Sequence, residues 1–396
     1  MTDSLLTSFG YIHILAGCAL LFLLIQLVYL RAYGRIPRHN RRQTDSSHFL
    51  PDEELPPLSI VLCTHNEAEK LKTLVPMLLA QDYPQYELIV VNYASTDETE
   101  DVLTLLEEQH SNLYHSFIPA GSQYLSPKKL AQTVGIKAAK HEWVVFTETD
   151  SHPVSNRWLR LLSRNFTPDT QLVLGHADFP KARTLSAHLQ AFGNLLNSLR
   201  FLGSALAKRP YMGTGRNMAY RKSLFFDHKG FSKHLHLLRG EDDLFVNEVA
   251  TAANTRVETH PDARVCLTRI PSMCGWHEEQ RHRLISTRHF RSRSAALWRF
   301  DTATRQLFLT ACAILAVCAL LQQAWWMFAT ACVLFLLHTG LRTQALNSVA
   351  RSLGSEWRFY TSPFFLQAYL TMQGIWLRLR TRSTFIAQSP KHLSHS

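Results

Sequence analysis

The sequence predicts an α/β domain built on a mainly parallel, Rossmann-like sheet, with one apolar helix ahead of it and about two behind it. Three observations carry this. Between residues 56 and 300, short β-rich runs alternate with amphipathic stretches, the order that produces βα units and a sheet covered on both faces. Tyr11 to Leu30 reads YIHILAGCALLFLLIQLVYL, close to the ~20 apolar residues that cross a ~30 Å hydrocarbon layer. A second apolar region, Leu307 to Leu341, is too long for one span and is interrupted at Gln322-Gln323, which suits two short spans joined by a tight turn.

Taken in order, residues 1–10 form a short N-terminus, 11–30 a transmembrane helix, and 31–55 a linker carrying Arg31, Arg35, Arg38, Arg41 and Arg42. Lysine and arginine collect on the cytoplasmic side of a bilayer, so the N-terminus is expected outside and the domain of residues 56–300 inside. A cleaved signal peptide would carry its basic residues before the apolar run, not after it. Residues 301–341 supply the two later spans, with Trp325 and Trp326 near an interface, and return the chain to the same side. Residues 342–396 form a basic C-terminal region. There Phe359 to Arg380, aromatic but broken by polar residues, is expected to be an interfacial or re-entrant segment, with a fourth span as the alternative. The formal charge of +11 at pH 7 is therefore read as topological, and nucleic acid is not an expected partner. Seven cysteines without a CxxC pair point to a reducing compartment and away from a disulfide scaffold.

Within the domain the strand-like runs are LSIVLCTHNE (Leu58 to Glu67), YELIVVNYAS (Tyr86 to Ser95) and WVVFTE (Trp143 to Glu148). Helix-like stretches AEKLKTLVPMLLAQ, DETEDVLTLLEEQ and KKLAQTVGIKAAK separate them, with apolar residues at helical spacing. Ligands bind beyond the carboxyl ends of parallel strands. There the sequence puts Glu67, the loop from Asn92 to Asp97, and the pair Glu148 and Asp150. Two carboxylates one residue apart present hard oxygens to one cation, and Mg²⁺ characteristically takes one or two carboxylates plus substrate phosphates. A divalent metal bound to a diphosphate is the expected occupant.

The segments VLCTHNEAEKL, ELIVVNYASTDETEDV, KKLAQTVGIKAAKHEWVVFTETDSHP, MGTGRNMAYRKSLF, GEDDLFVNEVA and EEQRHRLIS follow one another over about residues 57–290. In order and approximate spacing this set resembles the family 2 glycosyltransferases. The resemblance implies the nucleotide-sugar-binding fold called GT-A, and the flanking apolar segments are similar to those of the membrane-anchored, processive-like branch.

The same resemblance implies a role for each site. Glu67 matches the acid that contacts the nucleoside. The second strand of the family ends in two aspartates, where this chain has Asn92 and Tyr93; an asparagine keeps a hydrogen-bonding group but not the charge. Asp97 either compensates or caps the helix that begins there. Lys128, followed by Lys129, falls where a basic residue often lies near the nucleotide. Glu148 and Asp150 occupy the D-x-D position, with Asp150 as a ligand of Mg²⁺ or Mn²⁺ and Glu148 as a further ligand, a ribose contact or a partner of metal-bound water. In GEDDLF the register puts the general base on Asp242, with Asp243 as runner-up and Glu241 as the adjoining acid, while Gly213 and Gly215 let backbone pass close to donor or acceptor. Gln280 and Arg283 of QRHRL resemble Q-x-x-R-W, with Leu284 in place of the tryptophan. Three apart on a helix they share a face, and Arg283 has the donor fork to clamp a diphosphate. The missing tryptophan argues against a long-chain polymerase. Arg281, Arg288, Arg291 and Arg293 are read as membrane-surface contacts.

The expected function is an inverting, metal-dependent glycosyltransferase of the bacterial inner membrane with its catalytic domain cytoplasmic. It would move a sugar from a nucleotide-sugar donor, expected to be UDP-linked, to a hydroxyl of a lipid-linked or envelope-glycan acceptor. Two alternatives stay open on the residues alone. A sugar-phosphate nucleotidyltransferase would normally show a Gly-rich N-terminal loop, which Leu58 to Glu67 lacks. A non-catalytic membrane scaffold is supported by the changes at Asn92, Tyr93 and Leu284.

Overall fold

Helix α1 (Thr2–Tyr33) runs into a short, basic α2 (Arg35–Arg42). Strands and helices then alternate as β1 (Leu58–Thr64), α3 (Ala68–Leu79), β2 (Tyr86–Tyr93), α4 (Thr99–Gln109), β3 (Leu113–Ile118), α5 (Pro127–Ala138) and β4 (Trp143–Phe146). There follow β5 (Ser151–Pro153), α6 (Trp158–Ser163), β6 (Leu172–Leu174), β7 (Ala177–Asp178), α7 (Leu185–Leu206), β8 (Met218–Arg221) and α8 (Lys222–Asp227). The domain closes with α9 (Asp243–Val249), β9 (Thr255–Val257), β10 (Val265–Leu267) and α10 (Met273–Arg288). Three helices end the chain, α11 (Ser294–Leu321), α12 (Trp325–Ser352) and α13 (Ser362–Thr384). This computed structural model describes residues 2–42, 49–119, 126–235, 237–290, 294–360 and 362–384; Arg291 and Arg293 lie outside the described residues.

The main sheet has the order β3-β2-β1-β4-β8-β6-β9. β3, β2, β1 and β4 are parallel, and β8 is antiparallel to both β4 and β6. Nearly every residue of β1, β2 and β4 is buried, which explains why these strands read as continuous apolar runs and not as alternating ones. The period of two nevertheless sorts them. Leu58, Ile60, Leu62, Leu88 and Val90 face a core shared with α3, α4 and α6, whereas Val61, Ile89, Val91 and Phe146 face the core beneath α5 and α7.

Helix α5 lies directly on the sheet at Gly135, where a Cβ would come within 2.6 Å of Val61 Cγ1 and 3.3 Å of Val91 Cγ2. Both valines are buried and β-branched, so neither moves aside easily. Gly135→Ala is therefore expected to destabilise the domain by about 1–3 kcal/mol through overpacking, read as a lower melting temperature of the purified protein.

The chain passes from β1 outward to β2 and β3, then returns to pair β4 on the other side of β1. That reversal opens a crevice at the carboxyl ends of β1 and β4, the place where such sheets bind ligands. A second sheet, β5-β10-β7, braces the loop leaving β4. Thr268 N donates to Asp150 O at 2.7 Å, and Ser151 N and Oγ both donate to Glu148 O, at 3.0 and 2.9 Å.

Helices α1, α11 and α12 are long and apolar enough to cross a membrane. Helices α1 and α11 pack through a mixed apolar seam, with Ala19 and Leu23 of α1 against Phe308, Ala311 and Cys312 of α11, the small residues allowing close backbone approach beside the large ones. The chain turns between α11 and α12 at Gln323, which has a φ of 53°. The segment expected to be interfacial or re-entrant is the continuous helix α13, which contacts α7, α10 and α12.

A candidate active site at the switch point

Glu148 and Asp150 lie beyond the end of β4, and two cationic groups hold them. Arg216, five residues before the end of β8, reaches Glu148 Oε2 with Nε at 3.1 Å and Asp150 Oδ2 with Nη2 at 3.0 Å, while its Nη1 meets Glu279 Oε1 of α10 at 3.2 Å. Lys128, in the first turn of α5, meets Glu148 Oε1 at 2.7 Å and Glu241 Oε1 at 3.0 Å. Burial by itself would raise the Glu148 carboxyl, but Lys128 and Arg216 together hold it down to about 2. Burial likewise works against the charge on Lys128, yet Glu148 and Glu241 raise its pKa well above the ordinary lysine value. Both groups are therefore charged at neutral pH.

The second acidic cluster follows Gly240, whose φ of +106° and close approach to Leu244 admit no side chain. Glu241 is buried against Lys128. Asp242 caps α9, accepting from Asp243 N through Oδ1 at 2.7 Å, and its Oδ2 accepts from Gly215 N at 2.9 Å. Burial and the neighbouring Glu241 raise the Asp242 carboxyl, against the pull of Lys128 and the Gly215 N–H. Asp243 is buried more deeply, and desolvation together with Asp242 and Glu241 pushes it up to about 8. Burial thus works against the charge on both acids, and at pH 7 the inner one, Asp243, largely keeps its proton.

The two clusters meet at Gly215. A Cβ there would stand in ordinary contact with both acids, 3.6 Å from Asp242 Oδ2 and 3.6 Å from Glu148 Oε1, so this backbone lies between the two clusters. One cavity is lined by Lys128, Glu148, Arg216, Asp242 and Arg283 among others. Arg283 is held there by Glu279, whose Oε1 it meets at 3.1 Å. The backbone beneath is fixed by Asn217, fully buried, which donates to His176 O and Ala263 O at 2.8 and 2.9 Å and accepts from Trp158 Nε1 at 3.1 Å.

Other residues singled out from the sequence lie around this cavity and not on it. Glu67 is tied to the β4 loop, where Thr149 donates to its Oε2, and Lys70 pairs with its Oε1 at 2.5 Å. Asn92 is fully buried and donates to Glu100 Oε2 at 2.7 Å. Asp97 is exposed and accepts from Thr99 N at 3.1 Å, closing the turn into α4. Gln280 lines a neighbouring cavity of about 450 Å³ that runs toward the membrane helices. Arg216 and Glu279 were not singled out from the sequence. The signal for Arg216 was an arginine inside a glycine-rich segment that must be buried to lead into β8.

The donor set of Glu148 and Asp150 fits a divalent cation of the Mg²⁺ or Mn²⁺ kind as an open site. Its oxygens are hard, the Glu148 carboxylate is ionised, and Asp150 is about one-third exposed to the crevice. Among the described residues no group of three or more His, Cys, Asp or Glu side chains could hold a metal, so further ligands would have to come from water and substrate.

Comparison with known proteins gives a family and a fold. The description "Glycosyl transferase family 2" matches residues 59–228. An uncharacterized glycosyltransferase of Nostoc sp. is 27% identical over 121 residues, 31% of this chain and 36% of that protein. Poly-beta-1,6-N-acetyl-D-glucosamine synthase of Staphylococcus epidermidis is 27% identical over 94 residues, 24% of this chain and 22% of the synthase. The match thus spans about a third or less of these relatives. The solved structure of mannosyltransferase PcManGT from Pyrobaculum calidifontis, in complex with GDP-Man and Mn²⁺, is similar with a TM-score of 0.51 and 19% identity, covering 91% of this chain and 99% of that one. At that identity the likeness speaks for the fold.

Proposed function

The chain belongs to the family 2 glycosyltransferases, on the strength of residues 59–228 and a GT-A fold, and from that premise we propose that it transfers a sugar, with inversion, from a nucleotide-sugar to a hydroxyl of a membrane-borne acceptor. The observation that carries the proposal is the convergence of Asp242, Glu148, Lys128 and Arg283 on one cavity at the switch point of the sheet. Asp242 is the general base. It takes the acceptor hydroxyl proton as that oxygen bonds to the anomeric carbon and the bond from that carbon to the diphosphate breaks. Lys128 and Arg283 offer positive charge to the departing nucleoside diphosphate. Asp150 and Glu148 would hold a Mg²⁺ or Mn²⁺ ion, which supplies further charge neutralisation at the diphosphate.

The cavity beside Gln280 supports an acceptor that comes from the bilayer. It shares Met212 and Arg283 with the catalytic cavity and extends along α7, α10, α11 and α13. An acceptor reaching Asp242 from the membrane, a lipid-linked or envelope glycan, would use this route. With the arginine-rich side of the spans facing inward, transfer takes place at the cytoplasmic face of a bacterial inner membrane.

A donor panel tests this reading. Full-length protein is incubated with UDP-, GDP- and dTDP-sugars, with Mg²⁺ or Mn²⁺ or with neither; the GDP arm matters because the structurally similar mannosyltransferase holds GDP-Man. Metal-dependent stabilisation and release of the matching nucleoside diphosphate are expected with one nucleotide class, UDP first. Neither signal with any donor would leave a scaffold as the better reading. A pH series adds an independent check. Because the Asp242 carboxyl is raised and a base acts only when deprotonated, kcat/KM should fall on the acid side at a pH above the ordinary aspartate pKa of about 3.9. A limb at the ordinary value would remove Asp242 from the role.

A further inference from the structure

Helices α11, α12 and α13 line a third cavity of about 280 Å³, bordered among others by Arg305, Leu309, Ile314, His338, Arg342 and Phe364. Arg305 is only 2% exposed, and none of its three guanidinium nitrogens has a hydrogen-bond partner among the described residues. His338 is equally buried, and neither of its ring nitrogens has a partner among them; its ring packs on Phe308 with centroids 4.7 Å apart. Arg342, by contrast, is engaged: it donates to Tyr33 Oη at 2.9 Å and to Gln367 Oε1 at 3.1 Å. One turn before Arg305, the carboxylate of Asp301 accepts from Tyr33 Oη at 3.1 Å. Two guanidinium groups thus face one carboxylate, and one positive charge is left over.

A buried guanidinium without partners is costly, and intramembrane ionisable groups that persist mark ligand or ion sites. The cavity also has a direction. Arg305 and Arg342 lie at the end of the bundle nearer the catalytic domain. Leu309 and Ile314 lead away from it, the nine residues from Arg305 to Ile314 covering ~13 Å at ~1.5 Å per residue. A cationic end at the domain side and an apolar end toward the bilayer interior match the polarity of one leaflet lipid.

We propose that this cavity binds a phosphate-bearing lipid, its headgroup phosphate held by Arg305 and His338 and its chain lying along Leu309, Ile314 and Phe364. The guanidinium fork suits phosphate oxygens, and basic pockets between transmembrane helices are known to take such headgroups. Cavity volume is enough for the phosphate and the start of a chain. The remainder would lie on the exposed side of α11 at Ile314 and Val317. Gln306 and Gln367 line both this cavity and the passage toward the catalytic one, so the lipid stands at the membrane end of the same route. The site goes beyond sugar transfer and is tested by binding, not by turnover.

The full-length protein is placed in phosphatidylcholine nanodiscs with or without phosphatidic acid as one lipid in ten. Thermal stability and the lipids retained on native mass spectrometry are then measured. Phosphatidic acid should raise the melting temperature and be retained, and Arg305→Gln should weaken its retention at least about tenfold. Inorganic phosphate at matched concentration, added to nanodiscs of phosphatidylcholine alone, should do neither. Equal behaviour with and without phosphatidic acid would overturn the proposal, as would equal retention by wild type and Arg305→Gln. Stabilisation by inorganic phosphate matching that by phosphatidic acid would also overturn it, by showing a free-anion site. Should Arg305→Gln not fold, the wild-type comparison of the two nanodiscs still decides, and Arg305→Lys, which keeps the charge but not the fork, should retain the lipid more weakly than wild type.

Discussion

Asp242→Asn should lower turnover by about 10²–10⁴-fold, the contribution of a positioned general base, while the donor still stabilises the protein. Asparagine has nearly the same shape but cannot take a proton at neutral pH. The substitution has a structural cost, because Asp242 accepts two backbone N–H groups, from Gly215 and Asp243, and an asparagine oxygen can satisfy only one of them without turning its NH₂ toward the other. Leaving one unmet costs about 1–3 kcal/mol, partly offset by removing a negative charge beside Glu241. Melting temperature and donor binding must therefore be measured alongside rate. Asp243→Asn is the matching control: with that carboxyl pushed up to about 8, the wild-type side chain is already mostly neutral at pH 7, and the amide copies it. Turnover should stay within an order of magnitude of wild type. If the two variants exchange phenotypes, the base is Asp243.

Arg216→Met should destabilise the domain by about 3 kcal/mol, because one guanidinium holds Glu148, Asp150 and Glu279 together and its loss leaves three acids with only Lys128 on Glu148 and Arg283 on Glu279. For a domain of this size that amounts to roughly 6–12 °C in melting temperature. Arg216→Lys should recover only part of the loss, since an ammonium is a point charge and cannot span three acids with a planar fork. Added Mn²⁺ should stabilise Arg216→Met more than wild type, because in the variant the cation no longer competes with the arginine for Glu148 and Asp150. A variant that melts with the wild type would show the three ion pairs to be incidental.

Different parts of this architecture were legible in the sequence to different degrees. The runs LSIVLC, ELIVVN and WVVF announce β1, β2 and β4 because a strand buried on both faces must be apolar throughout. The interruption at Gln322-Gln323 marks the turn between α11 and α12 because two adjacent polar amides are poorly placed in hydrocarbon. The acids at Glu148, Asp150 and Glu241 to Asp243 are visible because carboxylates at the ends of apolar runs are chemically conspicuous. Strand β8 is not: Met218 to Arg221 is four residues with no readable period, and its antiparallel insertion between β4 and β6 depends on its neighbours. Asn92 occupies a position that resemblance assigns to the nucleotide, yet its side chain is bonded to Glu100, a contact in the first turn of α4 that local pattern does not reveal.

By itself, then, the sequence determined the strands β1, β2 and β4, the helices between them and the segments apolar enough to span a bilayer, because burial and periodicity act over a few residues and leave their mark there. Only the tertiary structure decided which charges meet. Lys128 finds Glu241 across 113 positions of chain, Arg216 gathers acids from the β4 loop and α10, and Arg305 is enclosed by helices that follow it. These pairings arise from how the sheet reverses and how the helices pack, and electrostatic energy depends on the resulting few ångströms and on burial, neither of which is written in the order of residues.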